Sequence, residues 1–181
     1  DPEMSRGLGD VYKRQDEESF ASFIKQKYDS DYDSTCNYYR WKMTVSDKDL
    51  SSSFDSKISD VGIIQNIYVR KRVSGGAAVS VVVEGDKNTV TLDSESLIRQ
   101  AFGNAAVTLE TNGGTVNTPY LPSTFCIFES QEKDGEKYFV ITGGGFGHGI
   151  GMSQNAVNAM TKRGMSYKDI LEFFYPGTKV A

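Results

Sequence analysis

A chain of 181 residues with 38% apolar side chains, ten Phe and ten Tyr is long enough for one domain with a real core and too short for two large ones. A net charge of −4, spread along the sequence, argues against the basic face of a dedicated nucleic-acid binder, and no apolar run approaches the roughly 18 residues that span a membrane. Cys36 and Cys126 are the only cysteines, too few for a disulfide framework and in no zinc-ribbon spacing, so both are expected unpaired.

The first fifteen residues, DPEMSRGLGDVYKRQ, carry no hydrophobic periodicity and resemble translated library-adapter sequence. They are expected to be a non-native leader, with the native protein beginning further upstream, and the domain is read over 16–181. From Asp16 the pattern turns helical. Phe20, Phe23, Ile24 and Tyr28 share one face, behind the acidic start Asp16, Glu17 and Glu18. YDSDYDSTCN then breaks the helix, and YRWKMTV alternates as a strand with one buried face. Ser46 and Asp49 make a capping-box pattern that opens a short helix through Leu50 and Phe54.

The centre is rich in strands. IIQNIYVRKRV and AAVSVVVEG flank Ser74-Gly75-Gly76 as a hairpin, and NTVTL follows the turn GDKN. The basic run Arg70, Lys71, Arg72 is read as a solvated strand end. Asp93 is expected to cap a helix whose apolar face is Leu97, Ile98, Ala101 and Phe102, with Gly103 as its stop. AVTLE and TPYLPSTFCIFES are strands around the turn TNGG, the second bent or held at an edge by Pro119 and Pro122. KYFVIT is the last strand. A helix from near Met152 to Lys162 or Arg163 and another capped by Ser166, with Tyr167, Ile170, Leu171 and Phe174 as its stripe, close the chain. The expected class is α+β: a mainly antiparallel β core flanked by helices, with two C-terminal helices after a glycine-rich loop.

That loop is GGGFGHGIGMSQ, Gly143 to Gln154, and it holds the chain's one histidine, His148. No choice of its glycines meets the dinucleotide-binding spacing, and no Gly-Lys-Ser/Thr follows for a P-loop, although a glycine turn before a helix suits an anion. One histidine without a second His or a nearby carboxylate makes a poor metal site. Ser153 lacks the nucleophile elbow of a Ser-His hydrolase. One tight turn does not need glycine at 145, 147, 149 and 151 alike. The alternation strips a ribbon from which Phe146, His148, Ile150 and Met152 project, so a ligand-lining loop is favoured over a mere turn.

GFGHGIGMSQNAVNAMTKRGMSYKDILEFFYPGT closely resembles the C-terminal signature of the stage II sporulation protein D (SpoIID) / amidase-enhancer LytB family. YYRWKMTV and LPSTF also resemble family elements, so that the resemblance covers roughly residues 36–178. It implies a peptidoglycan lytic transglycosylase, which cuts the bond between N-acetylmuramic acid and N-acetylglucosamine without water. One carboxyl group protonates the leaving oxygen and the muramic 6-hydroxyl closes an anhydro ring. The family's general-acid Glu lies in a Gly-Glu-Met type motif, which this chain lacks. Glu17 and Glu18 are without the family context, so the acid is expected upstream of the chain and no catalytic residue within it. The resemblance assigns Gly147, His148, Gly149, Gly151, Ser153 and Gln154 to glycan binding, with Tyr120 and Tyr175 either sugar-facing or packed in the core. It implies no cofactor, and Cys36 as the one residue left of a metal site that some members carry. Partners would be peptidoglycan glycan strands and other wall-remodelling proteins of sporulation, outside the cytoplasmic membrane. The alternative is a non-catalytic wall-binding or amidase-enhancer module.

Overall fold

Phe20, Phe23 and Ile24, spaced to fall on one helical face, are all buried on α1 (Glu17–Lys25), the first element of a computed structural model that describes residues 17–103, 108–149 and 151–180. The expected leader at 1–15, Asp16, the first residues of AVTLE and Ile150 lie outside the described residues. Tyr28 falls beyond the helix, in the turns that lead to β1 (Trp41–Ser46), where Trp41, Met43 and Val45 form the buried face. Ser46 caps α2 (Asp47–Lys57) by accepting the Asp49 N–H at 3.1 Å. β2 (Ile64–Arg72), β3 (Ala78–Gly85) and β4 (Thr89–Leu92) form an antiparallel three-stranded sheet.

α3 (Glu95–Phe102) is capped by Ser94, not Asp93. Asp93 instead accepts the Ser80 hydroxyl at 2.6 Å, tying the helix entry to β3. The helix starts one residue late, and Leu97, expected on its apolar face, is exposed, leaving Ile98, Ala101 and Phe102 as the buried face. β5 (Leu109–Thr111) and β6 (Gly114–Val116) make a small hairpin around the predicted turn. The long strand expected at TPYLPSTFCIFES begins only at Cys126, as β7 (Cys126–Lys133). Its proline-bearing front half has no ladder. Its backbone makes single bonds to distant segments instead, the Leu121 N–H with the Arg99 carbonyl and the Thr124 carbonyl with the Ala78 N–H. β8 (Glu136–Gly143) returns through Asp134-Gly135, both at positive φ, the geometry of a two-residue hairpin turn. α4 (Gln154–Lys162) and α5 (Tyr167–Phe174) close the chain. Ser166 and Asp169 form a complete capping box, although Tyr167, expected in the apolar stripe, is exposed.

The five-stranded sheet runs β6-β5-β1-β8-β7, antiparallel throughout. The expected α+β architecture holds, with the antiparallel core and both C-terminal helices. One large cluster joins the two sheets to α2 and α3, including Trp41, Phe54, Phe102 and Phe139. A second cluster covers α1 on the other face, where Phe20, Phe23 and Ile24 meet Phe125 and Ile127. The adjacent residues Cys126 and Ile127 thus fall in different clusters, as the two faces of a strand require. A third cluster lies within α4 and α5 and is described with the groove.

Arg72 departs from the solvated strand end expected of it. Its side chain is 1% exposed and forks onto Glu17 at 2.7 and 2.8 Å. It also donates to the carbonyls of Gly76 and Cys126 and covers the Phe20 ring at 3.8 Å. One buried guanidinium fastens α1 to the β2-β3 turn and to the start of β7. Its stem and planar head satisfy apolar and polar neighbours together.

Candidate functional site

The groove begins where β8 runs out. Gly143 stands opposite Trp41 in the ladder, and a Cβ there would lie 2.2 Å from the indole, so the ring occupies the space that a side chain would fill. The indole N–H donates to the Gly145 carbonyl at 3.1 Å, and the Gly145 N–H donates to the Tyr38 carbonyl at 2.8 Å. From the other side the Gly147 N–H donates to Pro122, and the Ser123 hydroxyl to the Gly144 carbonyl at 2.7 Å. The irregular Pro119–Phe125 stretch therefore has a structural purpose: it braces the ribbon in place of a strand.

Gly145, Gly147, Gly149 and Gly151 all have positive φ, at 77°, 108°, 69° and 87°. Two of them show distinct requirements. Nothing lies within 4 Å of a Cβ placed on Gly147, so only its backbone conformation demands glycine. At Gly149 a Cβ would also fall 2.3 Å from the Phe125 ring. Phe146 and His148, of ordinary handedness, alternate with the first three of these glycines, and Ser153 follows the ribbon. That side chain accepts the Ala156 N–H at 3.2 Å and caps α4, which begins at Gln154, two residues after Met152, near which its start was expected.

A groove of about 690 Å³ opens between this ribbon and the turns at 33–39. Gly147, His148, Gly149, Gly151, Ser153 and Gln154, the six residues singled out in the sequence, all line it. His148 is exposed. The opposite wall holds Asp33, Asn37, Tyr38 and Tyr39; Tyr38 and Tyr39 open the family-like YYRWKMTV, whereas Asp33 and Asn37 escaped sequence reading because YDSDYDSTCN looks like a helix breaker and nothing more. Its density of Asp, Asn and Ser before a strand was the available signal. Tyr39 is buried and its hydroxyl donates to Asp31. Burial first, and that hydrogen bond second, push its phenol well above the ordinary range. Tyr120 is exposed and outside the groove lining, whereas the Tyr175 hydroxyl lies 3.6 Å from the point a Cβ on Gly151 would occupy.

Gln154 and Asn155 at the start of α4 complete the lining, and behind them α4 and α5 share a cluster of Ala156, Met160, Ile170 and Phe174 that takes in one described side chain from the rest of the molecule, Tyr32. That ring meets Phe173 edge-on at 5.8 Å and lies under the Arg163 guanidinium at 4.6 Å, and its hydroxyl donates to the Met165 sulfur at 3.4 Å.

Cys36 lines the groove half-buried, and its thiol is pushed up by burial first and by the charge of Asp33 second. No three His, Cys, Asp or Glu side chains gather in a metal-holding group among the described residues. Cys36 is the one cysteine of the groove lining, and among the described residues no donor set gathers around it.

Cys126 sits far deeper, and burial pushes its thiol up to about 12, against the lowering effect of the Arg72 cation. From its ordinary value of 9.0 up to that figure, the unfolded chain's thiol ionises while the folded one keeps its proton. The folded state then binds more protons than the unfolded one, so stability is intact below the lower value and falls as pH rises toward the upper. Urea midpoints measured between about pH 8 and about pH 11 should decline, and less steeply in Cys126→Ala. An unchanged slope would assign the decline to other groups, Tyr39 first.

No helix among the described residues is long and apolar enough to cross a membrane. Over 47 residues, 26% of the chain, the sequence is 55% identical to a protein named "Amidase enhancer" from Bacillus subtilis (strain 168), covering 6% of that protein. Over 41 residues, 23% of the chain, it is 46% identical to "Stage II sporulation protein D" of the same organism and of Bacillus amyloliquefaciens, covering 12% of each. The chain thus spans a small part of the curated relatives it matches, and over that part it is SpoIID/LytB-like. The sequence model of a family described as "Domain of unknown function (DUF8618)" matches residues 3–151, more than half of the chain and the whole approach to the ribbon, and the protein belongs to that family.

Proposed function

We propose that the groove holds a glycan strand of the bacterial cell wall, as the substrate-positioning part of a lytic transglycosylase acting outside the cytoplasmic membrane during sporulation. The carrying observation is the convergence of six ribbon residues on one groove whose wall has been cleared of side chains. The relatives named for sporulation and for amidase enhancement support a sporulation or cell-wall role. In this reading the glycine backbone lets a bulky strand lie close, while His148, Ser153 and Gln154 orient its hydroxyl and amide groups. The general-acid Glu, supplied from outside these 181 residues, protonates the leaving oxygen.

Among the described residues, Asp33 is the one carboxylate that lines the groove. This favours binding without cleavage by the chain itself, and it keeps the wall-binding or enhancer module as the second reading. The purified chain should bind peptide-free glycan strands and release no anhydromuropeptides from peptidoglycan. Release of such products would overturn the assignment of the acid to another part of the protein; failure to bind would overturn the glycan reading. His148→Ala should weaken binding about five- to tenfold, on the scale of one net hydrogen bond, with its urea midpoint unchanged. A fall in the midpoint would make His148 a packing residue.

A further inference from the structure

We propose that Phe146 and Tyr38 form an aromatic platform on which one pyranose ring of the glycan stacks, setting the register of the strand in the groove. The inference rests on the glycan reading above and adds a subsite to it. Phe146 is 67% exposed, a phenyl ring with most of its surface open to water on a groove wall. Gly145 and Gly147 on either side have no side chains to cover it. Its ring centroid lies 4.9 Å from that of Tyr38, with the planes tilted by 45°.

Both rings stand on fixed supports. Tyr38 leans on the main core and its carbonyl accepts the Gly145 N–H, and Phe146 is held between that bond and the one from Gly147 to Pro122. Hydrogen-bonding groups line the groove near the pair, from Asn37, His148, Ser153 and Asn155. A pyranose needs both halves of this surface. Its C–H face is apolar and stacks on an aromatic ring, while its equatorial hydroxyl and acetamido groups need donors and acceptors around the rim. A polypeptide partner or lipid would want a broader apolar surface than two rings set among amides and a histidine.

Calorimetric titration of the whole chain with peptide-free glycan strands, alongside NMR of the sugar C–H protons, tests the platform. Phe146→Ala and Phe146→Leu should each weaken binding about tenfold and remove the upfield ring-current shifts. Phe146→Trp should keep affinity within about twofold, which also shows that the fold survives substitution there. If the wild-type chain binds and Phe146→Leu binds equally well, the platform is wrong and the groove reading stands. If the folded wild-type chain binds no glycan, the groove reading fails and the platform fails with it. Self-association that Phe146→Ala abolishes, without sugar ring-current shifts, would overturn it in favour of a second copy of this chain.

Discussion

Arg72→Ala should destabilise the protein by about 3 kcal/mol, the range expected when one member of a buried ion pair is removed. The loss has several sources. Glu17 loses its partner, the carbonyls of Gly76 and Cys126 lose their donors, and the Phe20 ring loses the guanidinium that covers it. A cavity in the α1 cluster adds to these. Glu17→Gln should cost less, because half of that carboxylate already faces water and the amide can still accept from Arg72. Lys71→Ala, at the exposed position next to it, should leave the urea midpoint where it is. Equal effects at 71 and 72 would mean that the basic run is solvated throughout and that α1 is not fastened by it.

Gly149→Ala should cost about 3 kcal/mol and disturb the groove as well. A left-handed backbone imposes about 1–2 kcal/mol on a residue with a Cβ, and overlap with the Phe125 ring adds a contribution of similar size. Phe125 cannot retreat easily, since it is buried in the α1 cluster. Gly147→Ala isolates the first contribution, because open space surrounds its Cβ, and it should cost about 1–2 kcal/mol. Urea unfolding of the pair gives the comparison. A Gly149 variant no worse than the Gly147 variant would mean that Phe125 moves aside and the ribbon is not held against it.

The features that were legible beforehand are local ones. Ser46 with Asp49, the Ser166 cap, and Phe20, Phe23 and Ile24 of α1 carry their signals within a few positions, and they fold as read. The misreadings arise where a distant partner decides. Asp93 has the chemistry of a helix cap, but Ser80 holds its carboxylate, and Ser94 takes over the cap. Arg72 looks like any basic residue at a strand end because Glu17, which it meets, lies 55 positions away. Pro119 to Phe125 has strand-like composition, yet its hydrogen bonds go to Arg99, Ala78 and the glycine ribbon. The site follows the same division. The ribbon residues announced themselves through repeated glycine, whereas Asn37 and Tyr38 became part of the groove only through β1 pairing with β8.

The Tyr32 clasp gives the groove two walls that belong to different cooperative units. One is continuous with the main sheet. The other is the N-terminal end of a helical pair with its own small core, which takes in one described side chain from the body, Tyr32. Local opening of such a pair takes less free energy than global unfolding. Any ligand touching both walls therefore binds the clasped form alone, and part of its intrinsic affinity goes into holding the clasp shut. Affinity for the ligand and adhesion between Tyr32 and the helical pair are thermodynamically one coupled quantity, so a substitution that never touches the ligand can tune how tightly it is held.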